Sequence, residues 1–589
     1  MRIAESHVAI TGAGIISAIG EGKEETLRSL MRRRSGIGRM CYLQSVHKEL
    51  PVGEVKMSNE QMKCKLGIPL EKDVSRTPLM AMLAIRESME DAGFDAVMLQ
   101  ERNTALISGT TVGGMDITEL HFINDDLDGD TSFFSQHDCG GSTEVIAKYF
   151  GCFSQATTIS TACSSASNAI IVGAEMIKNG EADVVVAGGT EALSLFHLNG
   201  FNSLMILDPN PCRPFDSTRA GINLGEGAAY IIMEREEDAR ERGAKIFAYM
   251  AGWGNACDAY HQTAMSPQGF GAQLAMREAL RMSGLSADDI QYVNAHGTGT
   301  PNNDQSEAEA LLAVFGDSLP PVSSTKGLTA HATSASGGIE AVICLLAMEH
   351  HFIPSNVGWK HPMDGGFIPC MGADGVYLKN VLSNSFGFGG NDSALIFSAS
   401  PAPPAYEETM ATQDENIRQS AVVEVKSEEE LTDMGKYIKP FEARRMGKLM
   451  KASILSSLKA LEKAGIEVPD AIVTATAYGQ VCNSEHLLAS LAGSKEMTVS
   501  PTLFMQSTHN TLSANIAIQT HCHGYNITYS HGRASLEWAL RDARRLIRSG
   551  RCGNVLVGYH DECTPLFRRL KGEVTQELYS MSIVLSCSK

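Results

Sequence analysis

An internal repeat restricts what this chain can fold into more than any other feature. Near the C-terminus, NITYSHGRASLEWALRDARRLIRSGRCGNVLVGYHDE tracks TTISTACSSASNAIIVGAEMIKNGEADVVVAGGTEA with a constant offset and no gap. Both read as strand, tight turn, buried helix, glycine and strand. Residues 443–477 follow the pattern of residues 75–110 in the same way. The matching glycines and helix lengths point to duplication, so the second stretch must rebuild part of the architecture of the first. In this register Cys163 faces Arg533, so the second copy keeps the frame and loses the thiol.

From Arg2 to about Ser400, β-branched apolar runs such as VAITGAG and ADVVVAGG alternate with helical patterns. Two of these patterns are SRTPLMAMLAIRESMEDAG and SASNAIIVGAEMIKNG, the second with a predicted cap at Gly180. The alternation implies α/β layers with helices covering the sheet faces. TGAGIISAIG lacks the full glycine pattern and the acidic residue of a dinucleotide fingerprint, which excludes a Rossmann reading. After Ser400, PAPPAYEETMATQDENIRQS has the texture of a linker, and a globular pattern resumes at about Glu428.

A formal net charge of −19 argues against nucleic acid as the main partner, because neutralising phosphates needs dense Lys and Arg. The start MRIAESHVAI does not read as a signal peptide, and no run of about 18 apolar residues predicts a membrane span. The fourteen Cys lack paired metal-ligand spacing, which fits free thiols in a reducing cytoplasm and predicts no metal site.

Cys163, in STACSSASNAII, sits at a small-residue turn between a strand and an apolar helix. The helix dipole and unpaired amides there favour a thiolate. A lone cysteine in such a place is more often an ordinary buried residue, but two histidines change the weighting. VNAHGTGTPNND puts His296 after an apolar strand in a glycine- and threonine-rich loop. SSTKGLTAHATSASGG puts His331 five residues after Lys326 at another strand-to-helix junction. One Cys and two His in similar settings form a candidate nucleophilic site.

With these residues in view, 7–398 resembles the β-ketoacyl synthases of the thiolase superfamily. The resemblance rests on TGAGIISAIG, TACSSAS, RPFDSTRAGINLGEGA, CDAYHQT, NAHGTGTPNND, the Lys326–His331 spacing and NSFGFGGND. It implies a thiolase-like fold of duplicated αβαβα layers, followed by a second, partial thiolase-like α/β domain. The division it suggests is 1–250 for the nucleophile half and 251–400 for the His/His/Lys half. A linker at 401–427 and a non-catalytic domain at 428–589 would follow.

By resemblance, Cys163 takes an acyl group from an acyl-carrier-protein thioester, with the amides of Cys163 and Phe388 as oxyanion hole. His296 and His331 would bind a malonyl thioester for decarboxylative condensation, with Lys326 and Glu307 orienting the site. Thr298 and Thr300 match the threonines that bind a phosphopantetheine arm. Phe388, between Gly387 and Gly389, matches a gating phenylalanine, and His261 is a candidate for the malonyl route. No cofactor beyond the carrier-bound substrates is implied.

Several positions depart from the family pattern. Ala330 and Ser334 stand where glycines are usual, and Ser336 stands where alanine is. Asp392 replaces an asparagine, which would place a carboxylate charge beside the gate loop. An asparagine is also usual near Gly140. These departures leave the pathway open among fatty-acid, polyketide and aryl-polyene-type synthesis.

A homodimer is expected, with the strand after the nucleophile helix near its interface. The second domain is expected to pack on the first, dock a carrier protein, or shape an acyl tunnel. Arg541, Arg544, Arg545 and Arg548 lie on one predicted helix, either as a face for an acidic carrier protein or as a solvated face. A thiolase is disfavoured because NSFGFGG stands where its second cysteine would be. A non-catalytic chain-length-factor-like partner is disfavoured for the whole chain because Cys163, both histidines and Lys326 are intact.

Overall fold

The computed structural model describes residues 7–129, 131–401, 416–572 and 576–587. In the first domain the main-sheet strands are β1 Val8–Ser17, β2 Thr104–Gly109, β3 Gln155–Ile159, β4 Val184–Glu191 and β5 Gly227–Arg235. They continue with β6 Ala248–Cys257, β7 Tyr292–Asn294, β8 Val322–Ser323, β9 Asn380–Gly387 and β10 Asn391–Ser398. The appended domain supplies β11 Ile417–Val425, β12 Ala471–Ala475, β13 Tyr525–Tyr529, β14 Asn554–Glu562 and β15 Leu578–Cys587. Across the sheet the order is β11-β15-β14-β12-β13-β3-β2-β4-β5-β1-β6-β10-β9-β7-β8.

The first domain is layered as its resemblance implies. Helix Arg76–Ala92 covers β1 and β5, while helix Phe270–Ser283 covers β6 and β10. Between the two halves of the sheet lie helices Ser165–Lys178 and Ser336–His350, which pack on each other. Both are buried on every side over their first three turns, as expected of helices apolar all round. They approach closely through small residues: a Cβ on Gly337 would lie 2.1 Å from Ser167 Oγ. This contact brings the starts of the two helices, and with them the loops of Cys163 and His331, to one place. Helix Ser165–Lys178 is capped at Asn179, one residue before the predicted Gly180, which follows with φ 67°.

The appended domain repeats the five-stranded half β3-β2-β4-β5-β1 as β13-β12-β14-β15-β11. Helices Arg76–Ala92 and Lys448–Ala464 are each 17 residues long and end on a left-handed glycine, Gly93 and Gly465. Strand β11 is the counterpart of β1, although its residues carry the polar composition assigned to the tail of the linker. Its exposed side at the sheet edge explains that composition, since only Ile417, Ala421 and Val425 are buried. The globular fold therefore resumes at Ile417, ahead of residue 428.

The two copies meet through equivalent strands. Antiparallel β3 and β13 place Ile159 opposite its own counterpart Tyr529. Ser160 N–H donates to Thr528 O at 3.0 Å, and Ser530 N–H donates to Thr158 O at 2.9 Å. These exchanged equivalents mark a pseudo-twofold axis, the pairing by which a symmetric dimer joins like patches. The strand expected near an interface, β4 after the nucleophile helix, instead lies inside the sheet between β2 and β5. The edge that needs a partner is β3, before the nucleophile, and this chain fills it with its own second domain. A homodimer joined along β3 is thereby closed to it.

Helix Ser535–Arg548, the counterpart of the nucleophile helix, lies beside this axis, so three of its four arginines face inward. Arg545 donates from Nε and Nη2 to both oxygens of Glu181 at 2.9 Å. Arg541 and Arg548 stand 3.6 and 3.7 Å from the same carboxylate. Against the cost of burial, these guanidiniums hold Glu181 below the usual carboxylate range. Of the four arginines considered as a carrier-protein face, Arg544 alone is exposed. Gly140 lets the second domain come close, since a Cβ there would lie 2.8 Å from His531 Cα and 3.0 Å from Gly532 N. Gly140→Ala should therefore strain the junction by about 1–3 kcal/mol, read as a lower thermal midpoint of the whole chain.

Candidate active site

Strand β3 ends in the turn that carries Cys163. Thr161 N–H donates to Ser165 Oγ at 2.9 Å, and the copy repeats the device with His531 N–H on Ser535 Oγ at 2.6 Å. Ala162 takes φ 52° where the copy has Gly532 at φ 54°. The alanine holds a left-handed conformation that costs roughly 1–2 kcal/mol, which fixes the sulfur at the mouth of helix Ser165–Lys178.

His331 Nε2 lies 3.1 Å from Cys163 Sγ, and its Nδ1 lies 2.8 Å from Ser336 Oγ. The Ser336 hydroxyl can donate or accept, so it suits either tautomer of His331. The preceding Ala330 has φ 61°, a conformation glycine adopts freely, and its methyl is accommodated against Gly53 and Gly225. Ser334 turns its hydroxyl to Glu191 at 2.6 Å. The second imidazole, His296, stands with its ring centroid 5.3 Å from that of His331. Lys326 Nζ donates to His296 O at 2.5 Å and lies 3.4 Å from His296 Nδ1.

The expected pairing of Lys326 with Glu307 divides between two carboxylates. Lys326 forms its buried ion pair with Glu340. Glu307 instead accepts the N–H groups of His296 and Gly297 at 2.8 and 2.7 Å, holding the loop backbone. Glu340 was missed in the sequence. Its signal was a carboxylate in the middle of the apolar run SGGIEAVICLLAM, where burial demands a cationic partner.

Burial decides the protonation of this site. It pushes the Cys163 thiol up to about 11, against the pull of Lys326 and the amides of Phe388 and Cys163. The thiolate expected from the helix dipole is therefore outweighed, and the resting residue is a thiol. Burial also holds His296 and His331 well below the usual imidazole range, with Lys326 acting in the same direction on both. Both rings are thus neutral at physiological pH. Glu307 and Glu340 are each raised to about 7 by burial.

The Phe388 amide reaches the Cys163 sulfur from the gate loop. The Phe388 ring packs on Phe201 with centroids 5.6 Å apart, and Gly389 and Gly390 follow at φ 88° and 76°. Gly387 closes β9 against Thr161 O. Thr298 and Thr300 touch through their hydroxyls at 3.0 Å on the His296 loop. His261 stands apart: it is exposed, and its Nδ1 accepts the Thr263 and Ala264 amides at 3.2 and 3.3 Å. That arrangement is a local turn cap. Asp392 is fully buried with neither carboxyl oxygen hydrogen-bonded among the described residues. Burial, with Asp258 and Glu307 nearby, raises it well above the usual range. Burial thus opposes the charge expected beside the gate and favours the neutral acid.

A cavity of about 40 Å³ opens between the two domains. Thr111, His137, Cys139 and His197 line it from one side, and Tyr478, Phe504 and His509 from the other. His509 Nδ1 is 3.2 Å from Ser160 Oγ, three residues before the nucleophile. Burial lowers His137 to about 3 and His509 to about 4, so both rings are neutral.

Comparison with known proteins agrees with this geometry. The family description "Beta-ketoacyl synthase, N-terminal domain" matches residues 5–239, and "Beta-ketoacyl synthase, C-terminal domain" matches 247–360. An N-terminal-domain description of the same family matches again at 416–588. Nodulation protein E of Rhizobium meliloti is 33% identical over 409 residues, covering 67% of this chain and 99% of its own. The 3-oxoacyl-[acyl-carrier-protein] synthase 2 of Synechocystis sp. is 33% identical over 422 residues, with 67% and 99% covered. The solved ishigamide ketosynthase/chain length factor is 31% identical with TM-score 0.63, covering 67% of this chain and 100% of that one. The PfaC keto synthase-chain length factor, at 14% identity, shares the fold over 99% of this chain and 78% of its own, with TM-score 0.79. The chain belongs to the β-ketoacyl synthase family. It is a condensing acyltransferase with an appended ketosynthase-like domain.

Two outcomes test the site. Alkylation of Cys163 by a small reagent should keep accelerating to about pH 11, because burial opposes the thiolate, rather than levelling near pH 9. Ser336→Ala removes one hydrogen bond to His331, worth about 1 kcal/mol, and should slow condensation about fivefold in steady-state assays.

Proposed function

We propose that Cys163 is the acyl-carrying nucleophile of a decarboxylative condensation between carrier-protein thioesters. The observation that carries the reading is the 3.1 Å approach of Cys163 Sγ to His331 Nε2, with Lys326 and His296 behind it. A neutral His331 takes the thiol proton as sulfur attacks the acyl carbonyl. The amides of Cys163 and Phe388 hold the resulting oxyanion. The carrier thiolate leaves and recovers the proton from His331. A malonyl thioester then loses CO₂, and the electron pair of the broken C–C bond becomes an enolate. N–H groups of His296 and His331 stabilise its oxygen. The enolate carbon attacks the acyl-enzyme carbonyl, the C–S bond breaks, and Cys163 leaves as a thiolate that takes up one proton from solvent, with no electron gained or lost overall.

The partner under this reading is an acyl carrier protein in the cytoplasm, its phosphopantetheine arm passing Thr298 and Thr300. The appended domain serves 1–401 as a built-in counterpart of a chain length factor. Support comes from the pseudo-twofold junction and from solved neighbours in which a ketosynthase is paired with such a factor. That likeness favours polyketide-like chains over ordinary fatty acyl chains. Reading the whole chain as a non-catalytic partner fits 416–587 alone, where Arg533 replaces the nucleophile.

Intact-protein mass spectrometry after mixing with a panel of acyl-carrier-protein thioesters tests this. A mass gain equal to one acyl group should map to Cys163 and vanish in Cys163→Ser. His296→Ala should still acylate but lose condensation by about 10²-fold or more, since its role falls in the second half-reaction. Full condensation by Cys163→Ser would sink the assignment.

A further inference from the structure

We propose that the appended domain positions the gate loop of the catalytic domain through Asn510, at the end of a buried relay of asparagines; this rests on the reading of Cys163 and Phe388 given above. The relay starts at the nucleophile turn. Asn168, on the nucleophile helix, donates to Thr161 Oγ1 at 2.9 Å and to Ser164 Oγ at 3.3 Å. Asn255 of β6 donates to Asn168 Oδ1 at 2.8 Å, and its own Oδ1 accepts Asn526 N–H at 2.8 Å. Asn391, just after the gate loop, donates to both Asn526 O and Asn526 Oδ1 at 3.0 Å. Asn510 closes the relay, donating at 2.7 Å to Asn391 Oδ1 and at 2.7 Å to the carbonyl of Phe388.

Two of these five residues, Asn510 and Asn526, belong to the appended domain, and all five are buried. Asn510 Oδ1 has no hydrogen-bond partner among the described residues, so the amide is placed for its two donor hydrogens. The Phe388 carbonyl, past the end of β9 and followed by two glycines at φ 88° and 76°, has no ladder to hold it; Asn510 supplies the missing donor. A Cβ on Gly389 would lie 2.8 Å from Ala514 Cβ and 3.0 Å from Asn510 Nδ2, so the helix Thr511–Thr520 sits directly on the loop. Gln262, whose carbonyl accepts Gly389 N–H at 2.8 Å, is in turn tied to Asn515 of that helix at 2.8 Å.

The duplication makes the placement informative. Asn510 is the counterpart of Gly140, in the gapless register that pairs Thr528 with Thr158 and Arg533 with Cys163. Across the pseudo-twofold, each of these positions points at the other domain. The catalytic domain has a gate loop to be held, and there the amide stands; the appended domain has no such loop, and there glycine lets the backbones touch. The asymmetry assigns Asn510 as a positioning residue for the Phe388 amide and ring, acting from the non-catalytic domain.

The test uses the full chain with Asn510→Ala and Asn510→Asp, read by amide hydrogen exchange of residues 387–390 and by single-turnover acylation of Cys163. Both variants should exchange at least tenfold faster in the loop. Both should acylate about tenfold more slowly with unchanged KM, a fraction of the 10²–10³-fold that losing an oxyanion donor costs. Asp, with oxygens facing the Phe388 and Asn391 carbonyls, should be the slower. Should neither variant fold, Asn515→Ala loosens the same loop through Gln262 and should raise exchange about threefold. Unchanged loop exchange in a folded variant overturns the inference whatever the catalysis does. Faster exchange without slower acylation also overturns it. A wild-type protein that never acylates Cys163 defeats the proposed mechanism instead, while loop exchange still reports on the clamp.

Discussion

Strand β3 leads straight into the nucleophile turn, and an open strand edge there would leave both the ladder and Cys163 unsupported. The structure depends on how that edge is closed. Three backbone positions on each side, exchanged about a pseudo-twofold axis, join β3 to its own duplicate β13. Closure along this line sets everything near the site that comes from the appended domain: His509 beside Ser160, the relay through Asn526, and the amide of Asn510 on the gate. It also turns Arg541, Arg545 and Arg548 of the second copy's helix inward, where Glu181 neutralises them.

The second constraint is dryness. Cys163, His296, His331 and Asp392 are buried, and burial moves each toward its neutral form. Cys163 keeps its proton, the two imidazoles lose theirs, and Asp392 stays protonated. Lys326 is balanced locally by Glu340. A site arranged this way holds little charge until reaction creates it. The Cys163 and Phe388 amides and the imidazole N–H groups then act in a medium where they are worth far more than in water. The interdomain cavity extends the same conditions away from the nucleophile, with His137 and His509 held neutral chiefly by burial.

Residues whose roles follow from chemistry in short loops were legible in the chain. Cys163, His296, His331 and Lys326 each sit in a glycine- or serine-rich junction after an apolar strand, and the fold does bring them together. Residues whose roles follow from long-range contact were not. Glu340 lies 14 residues after Lys326, on a different helix, and only the buried pairing reveals it. Ser336 read as a departure from pattern until its hydroxyl was found on His331. His261 carried a motif and proved to cap a surface turn. Strand β11 looked like linker because an edge strand with one wet face has the composition of one.

The sequence by itself determined that two related layered domains exist, that one has kept a nucleophile and two histidines, and that the other has lost the nucleophile. Periodicity, turn chemistry and an ungapped repeat are local or self-referential signals, and they need no partner to be read. Only the tertiary structure decided how the copies face each other, which carboxylate neutralises Lys326, and that an asparagine of the silent domain reaches the active loop of the other. The first and last of these depend on which backbone edges find each other across hundreds of residues. The ion pair of Lys326 depends on how two helices fold back over 14 residues. Such contacts leave no periodic trace in the chain.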